Sequence, residues 1–386
     1  MSRNCVRIHS RKKPVTVLIL LFCLSGALNA AAWLSTPFAD WYTDTVFPVF
    51  SSLYGRLPSL APFSIGERLL VVGVLWILAL AAATVLLIFL RKRKGYRRFA
   101  GHFWYATAWA AAIVLLIQTL GCLLQYHCTP LERSLPGYRT SYTLEDLAEL
   151  RDYAVKTCST LAEEMPRDEN GTVVYAGGEG AMQKEAQVSV QNLSASVSRL
   201  SGFQVRPKPL SFSVFVSQQY MQGYYFPFSM EANYNELMEI MNKPFTMCHE
   251  LSHTHGYIYE DDANFLAFLA CTGSEDPVFQ YSGWLGILNY VDNAFYENAG
   301  RTVYREHPAI SDTVLQDSQF LSEETWDLIG RTAKLDTETV KKAADTYVDT
   351  TLKANGVSSG KVSYSHVVAL LLEYFDGTFP EDAAAP

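Results

Sequence analysis

Three histidines and four acidic residues lie within sixteen positions of the sequence, in the stretch HELSHTHGYIYEDDAN that runs from His249 to Asn264. On a helix, His249 and His253 lie on one face because they are four residues apart. Two imidazoles at this spacing suit Zn²⁺, and Glu250 beside them can take a proton from a zinc-activated water. The pattern predicts one Zn²⁺ per chain and a hydrolytic reaction with Glu250 as general base.

A catalytic zinc site needs a third protein ligand and one open position. His255 is not expected to be that ligand, because it lies about 200° around the helix from His253. The metzincin pattern would place a histidine ligand at residue 259, where this chain has Tyr259. The third ligand is therefore expected among the acidic residues that follow.

Glu260 is the predicted third ligand. Asn264 follows it by four residues on the same helix face, where it can hydrogen-bond a ligating histidine. Asp261 and Asp262 point to other faces of the helix. Acidic residues in the first turn stabilise a helix, so their presence there does not require a metal. Both aspartates remain open as alternative ligands.

The stretch GYYFPFSMEANYN, residues 223–235, lies just upstream of the metal-binding residues. Pro227 cannot donate to a sheet, so an edge strand or an extended loop is expected. Such a strand could pair with the backbone of a peptide substrate. Glu231, Asn233 and Asn235 alternate, so we predict that they face the substrate cleft, with a capped turn as the alternative.

Two residues further along the chain are candidates for stabilising a tetrahedral oxyanion, namely Tyr281 and His366. A phenol or an imidazole can donate the hydrogen bond that such a group requires. The alternative for each is an ordinary core or surface residue.

The EDDAN element after HExxH resembles the ExxAN element of gluzincin-like peptidases related to the radiation-response regulators, in which the glutamate is the third zinc ligand. Membrane-embedded gluzincins use a similar ExxAD. The segments PFTMCHELSHTHGYIYEDDANFLAFLAC and YSGWLGILNY are similar to a bacterial membrane family, domain of unknown function 3810. This resemblance implies N-terminal spans followed by one HExxH domain with zinc metallopeptidase activity.

The composition of the chain divides it into two parts. The 386 residues carry a formal net charge of −8, yet the first third is apolar and basic while the rest is polar and acidic. No basic stripe lies in the later part, so nucleic acid is not an expected partner.

Three apolar runs, at about 15–34, 69–90 and 103–124, are each close to the ~20 residues that cross a bilayer as a helix. The second run has no charged residue. Buried helices of soluble proteins rarely extend this far without a polar face. The runs predict three transmembrane helices and a lipid bilayer as partner.

The distribution of positive charge predicts the orientation in the membrane. Basic residues fill the N-terminus, 1–14, and the short link RKRKGYRR, Arg91–Arg98. Cytoplasmic segments carry such an excess, so residues after the third span are expected outside the cytoplasm. We predict a linker at 125–141 and an extracytoplasmic domain at 142–386. A cleaved signal peptide is the alternative for the first run and leaves this topology unchanged.

The C-terminal domain, 142–386, is predicted to be mainly helical. Helical periodicity starts at Thr143 as N-cap, and a short strand is expected at Phe212–Val216 from its alternation. Cys248 and Cys271 are either two buried thiols or a disulfide. The predicted fold class is mainly α: three transmembrane helices and a zincin-like α+β domain with a small sheet.

Three classes of function are compatible with these sequence features. The first is a membrane-anchored zinc metallopeptidase that cuts a peptide or protein substrate. The second is a non-catalytic zinc-binding sensor or scaffold, and the third is a transporter. The spans carry no charged residues that could line a pathway, which argues against a transporter. No structural role requires an acidic residue at the position of Glu250, which favours the enzyme.

Overall fold

The computed structural model describes residues 5–131, 142–356 and 366–375, with side chains from residue 14 onward. Three of its helices are long and apolar enough to span a membrane, at Pro14–Leu34, Ile65–Leu90 and Lys94–His127. Most of the described residues are helical, and one small mixed sheet accompanies them. The structure thus confirms a mainly helical fold with a small sheet and three apolar N-terminal helices.

The three apolar helices are α1 (Cys5–Leu34), α4 (Ile65–Leu90) and α5 (Lys94–Gln118). The last continues through a π turn (Thr119–Leu123) and a 3-10 turn (Gln125–His127). The segment between α1 and α4 is itself helical: α2 (Thr36–Trp41), a π turn (Tyr42–Val46) and α3 (Phe47–Ser59).

The C-terminal domain is joined to the ends of the apolar helices by buried polar contacts. Glu231 accepts hydrogen bonds from the backbone N–H groups of Ile65 and Gly66 at the first turn of α4. The carboxylate of Glu67 accepts the N–H groups of Ser211 and Phe212. Carboxylates are favourable at a helix N-terminus, so these contacts fix the domain to α4.

The described part of the predicted linker, 125–131, also makes specific contacts. Thr129 donates from its backbone N and its hydroxyl to Asp40. The backbone N of Leu131 donates to Asp262. Residues 125–131 therefore contact both α2 and the C-terminal domain, while the rest of the predicted linker lies outside the described residues.

The C-terminal domain is built mainly from helices. They are α6 (Leu144–Glu164), α7 (Gly178–Leu193), α8 (Ser213–Gln218), α9 (Lys243–Thr254), α10 (Glu260–Thr272), α11 (Pro277–Tyr304), α12 (Asp312–Asp317), α13 (Glu323–Thr332), α14 (Thr337–Ala354) and α15 (His366–Phe375). The largest packed interface joins α6 to α11, and α9 and α10 pack on each other and on α11. A continuous apolar core runs through these helices.

Helix α6 shows how local sequence sets these elements. Thr143 accepts from the backbone N of Asp146, and Asp146 accepts from the backbone N of Thr143, which forms a capping box. Leu147, Leu150 and Ala154 lie on the buried face at helical spacing. The predicted N-cap and periodicity are confirmed.

The sheet has three short strands, β1 (Lys208–Leu210), β2 (Gly223–Phe226) and β3 (Glu231–Asn235), in the order β1-β3-β2. β1 is parallel and β2 antiparallel to β3. The strand predicted at Phe212–Val216 is wrong, because Ser213–Gln218 forms α8. The apolar alternation there covered only a few residues, which a buried helix can also produce.

Cys248 on α9 and Cys271 on α10 are both fully buried and free. Their thiols face each other across the contact between the two helices. Of the two alternatives predicted from the sequence, the structure shows two buried thiols and not a disulfide. The pair is part of the apolar layer that holds α9 against α10.

Candidate metal centre

Helix α9 carries the HExxH residues on a buried scaffold. Pro244 lies in its first turn, where a missing N–H costs nothing. Cys248 and Leu251 are fully buried and anchor the helix in the core. The helix ends at Thr254, and Gly256 follows at φ +88°, a backbone conformation that favours glycine.

The turn between α9 and α10 is short. The carbonyl of Ser252 accepts from the backbone N of Tyr257, which closes the end of α9. A Cβ on Gly256 would approach Thr43 and Phe47 at 3.0 and 3.1 Å, so the turn packs tightly on the segment between the first two apolar helices. The reversal brings the start of α10, at Glu260, back over α9.

His249, His253 and Glu260 form a compact cluster. Their ligand-type atoms all lie within 4.8 Å of one another. Nε2 of His249 is 3.1 Å from Oε2 of Glu260, and Nε2 of His253 is 3.9 Å from Oε1. The Glu260 side chain is 36% exposed against 12% and 8% for the two imidazoles. Solvent therefore reaches the cluster from the side of Glu260.

The outer nitrogen of each imidazole has a fixed acceptor. Nδ1 of His253 lies 2.6 Å from the carbonyl oxygen of Tyr257, and Nδ1 of His249 lies 2.8 Å from Oδ1 of Asn264. A carbonyl oxygen can only accept, so each Nδ1 carries the proton. In a neutral ring, Nε2 then presents its lone pair to the cluster, which is the arrangement that metal-ligating histidines use.

Burial and charge act differently on the three groups. Burial lowers the pKa of His253 to about 4, which keeps this imidazole neutral. Burial also disfavours a charged His249, but the hydrogen bond and the charge of Glu260 outweigh it and raise the pKa of His249. Burial opposes ionisation of Glu260, yet the two histidines lower the pKa of Glu260 to about 2. Without a metal ion, the charged forms of His249 and Glu260 therefore favour each other.

Glu250 lies behind the cluster, against the sheet. Burial raises the pKa of Glu250 to about 8. Its Oε2 is buried and has no hydrogen-bond partner among the described residues. A Cβ on Gly223 would lie only 2.4 Å from Oε1 of Glu250, so the glycine at the start of β2 provides the space for this carboxylate.

The other candidate ligands are engaged elsewhere. Oδ1 of Asp261 accepts a hydrogen bond from the backbone N of Val367 in α15, and Oδ2 of Asp262 accepts one from the backbone N of Leu131. His255 is buried, with Nδ1 3.2 Å from the carbonyl of Arg199 and Nε2 2.9 Å from Oε1 of Gln204. The structure therefore brings Glu260 to the two histidines, rather than Asp261, Asp262 or His255.

The polar residues of β3 do not face a cleft, contrary to the expectation for Glu231, Asn233 and Asn235. β3 is the central strand, and all five of its residues are buried. Glu231 pairs with Lys208, and Asn235 donates to Ser217. β3 was expected at the edge because Pro227 precedes it, but that proline lies in the turn after β2, and the two edge strands are β1 and β2.

The two oxyanion candidates lie in other parts of the domain. Tyr281 is fully buried, and its hydroxyl donates to Asp317 at 2.9 Å. Asp317 also pairs with Arg167, so this tyrosine belongs to a buried polar network. His366 is exposed at the start of α15, next to Val367, which binds Asp261. The structure does not bring Tyr281 to the cluster, and it places His366 beside the helix that begins at Glu260.

Two tyrosines near the cluster were missed from the sequence. Nδ2 of Asn264 donates to the hydroxyl of Tyr290 on α11 at 3.4 Å. Burial, together with the charge of Glu260, raises the pKa of Tyr290 to about 12. The ring of Tyr225 in β2 is centred 6.0 Å from that of His253. No spacing relates these residues to HExxH, because only packing of other elements brings them there.

The sequence profile of the family described as "Protein of unknown function (DUF3810)" matches residues 42–372, so the chain belongs to this family. The match extends from the link before α3 to α15 and includes the whole cluster. It confirms the family resemblance found in the sequence, whereas the resemblance to gluzincins stays a prediction. Neither the curated proteins nor the solved structures gave a match.

Proposed function

We propose that this protein is a membrane-anchored zinc metallopeptidase with a zincin-like domain. His249, His253 and Glu260 would hold one Zn²⁺, and Glu250 would act as general base. The observation that carries the proposal is the arrangement of the two imidazoles. Both Nδ1–H groups are fixed by oxygen acceptors, and both Nε2 atoms converge on one carboxylate.

The donor set fits zinc. Two imidazoles and one carboxylate with an open position form a common catalytic zinc site. The unpartnered Oε2 of Glu250 also fits, because a buried carboxylate oxygen without a partner is costly unless a ligand or a water satisfies it. A zinc ion held there would supply Lewis acidity, making a bound water more acidic and polarising the scissile carbonyl.

The residues of the chain have separate tasks in this reaction. Glu250 accepts a proton at Oε2 and returns it to the leaving amine. Asn264 and the carbonyl of Tyr257 keep the two imidazoles in their orientation. Tyr290, which Asn264 contacts, lies closer to the proposed ligands than Tyr281 does and helps to hold Asn264 in place.

The edge strand β2 is the proposed binding site for the substrate backbone. It pairs with β3 on one side, and Gly223 at its start lies against Glu250. An extended peptide could add to the other side of β2 as a further strand. Backbone pairing of this kind would place a peptide bond beside the general base without requiring a particular side chain.

We propose that the metal centre faces the extracytoplasmic side. The link Arg91–Arg98 and the N-terminus are basic, and positive residues favour the cytoplasm. Helix α4 begins at the C-terminal domain, where Ile65 and Gly66 donate to Glu231, and it ends at Leu90, just before this link. A reporter that is active only in the cytoplasm, fused after residue 375, should give no signal; a signal would place the domain inside.

The second candidate is a non-catalytic zinc-binding sensor or scaffold. The deep burial of the imidazoles is compatible with a structural zinc ion. The buried carboxyl group of Glu250 has no role in such a site. A structural site needs no buried carboxylate next to its ligands, since burying an unsatisfied carboxylate is costly. Glu250 is therefore the residue that favours the enzyme.

Peptide cleavage by the full chain in lipid nanodiscs tests the proposed function. A mixture of unstructured peptides should yield fragments detectable by mass spectrometry, and a zinc chelator should stop their formation. Added Zn²⁺ should restore it. Bound zinc without any cleavage would favour the sensor or scaffold. Cleavage that survives both the chelator and Glu250→Gln would come from a contaminating peptidase.

A further inference from the structure

Helix α3, between the first two apolar helices, has one buried and one exposed face. Phe47, Ser51, Gly55 and Pro58 are buried. The exposed face is apolar. Its large side chains are Val49, Leu53, Leu57 and, just after the helix, Leu60, with exposed fractions of 60, 67, 66 and 83%. At the helical repeat, these four lie within about 80° of one another around the axis.

The buried face of α3 is fixed to the C-terminal domain. The hydroxyl of Tyr54 donates to the carbonyl of Phe228 at 2.8 Å, and the carbonyl of Pro58 accepts from Lys208. A Cβ on Gly55 would lie 2.7 Å from Val205, so the helix packs closely here. Because these contacts fix its rotation, α3 cannot turn its apolar face inward.

The exposed face of α3 contains one charged residue, Arg56. Its guanidinium lies over the ring of Phe203, 4.6 Å from the centroid, and is thus directed to the domain. The remaining surface is a continuous row of aliphatic side chains. Contiguous exposed apolar surface of this kind marks an interaction with another apolar phase.

The surroundings of this face indicate a lipid bilayer as the partner. Leu60 is followed within five residues by α4, whose exposed apolar surface begins at Leu69 and Leu70. Three exposed aromatic residues accompany this junction: Phe63 just before α4, and Phe212 and Phe215 at α8. Phe212 is held at the first turn of α4 because Glu67 binds its backbone N–H. Aromatic side chains are enriched where a membrane protein meets the headgroups.

We infer that α3 is an interfacial membrane helix, with Val49, Leu53, Leu57 and Leu60 immersed in the leaflet nearest the C-terminal domain. Amphipathic helices bury such a face about 5–10 Å into the boundary between headgroups and acyl chains. Because α4 begins only five residues after Leu60, the bilayer that surrounds α4 also covers this face.

The position of α3 relative to the metal centre gives this contact a consequence. Phe47, its first residue, packs against Gly256 in the turn between α9 and α10. That turn joins His253 to Glu260. The immersed helix therefore supports the turn between two proposed metal ligands and holds the centre at a fixed height above the bilayer.

Spin labelling of the full chain in nanodiscs, one chain per disc, tests the inference. Leu53→Cys and Leu57→Cys carry the nitroxide, in a background with Cys5 and Cys23 replaced by alanine. Glu163→Cys, on an exposed polar position of α6, is the matched control. Both leucines are mostly exposed, so their replacement removes little packing within the chain.

The expected result is that oxygen, which concentrates in the bilayer, collides with labels at 53 and 57 more often than a water-soluble nickel complex does. At 163 the nickel complex should dominate. Equal access of the nickel complex to 53, 57 and 163 would place the face in water and overturn the inference. Exclusion of both reagents at 53 and 57 would show a protein partner, such as a second copy, and would also overturn it. Neither result depends on zinc or on catalysis.

Discussion

Replacing Glu250 by glutamine should lower peptide hydrolysis by roughly 10²–10⁴-fold, the usual contribution of a positioned general base, while zinc stays bound. Glutamine has nearly the same shape but cannot take up the proton. The three proposed ligands are untouched, and Gly223 leaves the same space for the side chain. Zinc content and hydrolysis rate, measured on the same preparation, test this prediction.

A matched control uses the glycine that borders Glu250. In Gly223→Ala, the added methyl group would meet Oε1 of Glu250 at 2.4 Å and the backbone oxygen of Asn233 at 2.7 Å, so the carboxylate and the start of β2 must shift. Hydrolysis should fall and zinc should remain, because the base is moved rather than removed. Loss of zinc in Glu250→Gln would contradict the assignment and would indicate that Glu250 is itself a ligand.

Replacing His249 by alanine should remove zinc and hydrolysis together. The substitution deletes one of two imidazoles, and two ligands are too few for a stable catalytic site. The core of α9 is unaffected, since Cys248 and Leu251 provide its anchoring. Circular dichroism should show the fold retained while metal analysis shows the loss. Glu260→Gln should also lose metal and activity in parallel, because an amide is a weaker ligand than a carboxylate.

Three neighbouring substitutions serve as controls for the ligand assignment. His255→Gln, Asp261→Asn and Asp262→Asn each alter a residue whose side chain bonds other parts of the domain. We expect these variants to retain zinc. If Asp261→Asn or Asp262→Asn lost the metal while Glu260→Gln kept it, the third ligand would be that aspartate.

The cluster was predictable because helical periodicity alone decides most of it. The spacing of four places His249 and His253 on one face, and the same spacing relates Glu260 to Asn264. The exclusion of His255 followed from its angle around the helix. What periodicity could not supply is the close return of the chain after α9, which depends on the positive φ of Gly256 and its packing on Phe47.

Elements that depend on distant packing were not predictable. β3 lies at the centre of the sheet because it pairs with β2 on one side and with β1 on the other. No local sequence pattern predicts the pairing with β1. Tyr290 reaches the cluster only because α11 packs on α10. Helix α3 could have been predicted, because Val49, Leu53 and Leu57 recur every four residues, which is typical of an amphipathic helix.

X-ray absorption at the zinc edge, on the purified full chain, tests the central claim most directly. We expect one Zn²⁺ per chain with two imidazole nitrogens at ~2.0–2.1 Å and the remaining ligands oxygen. His249→Ala should abolish this signal. A shell of sulfur near ~2.3 Å would contradict the account, since it would assign the metal to cysteines such as Cys248 rather than to His249, His253 and Glu260. A chain that binds no zinc would contradict it as well.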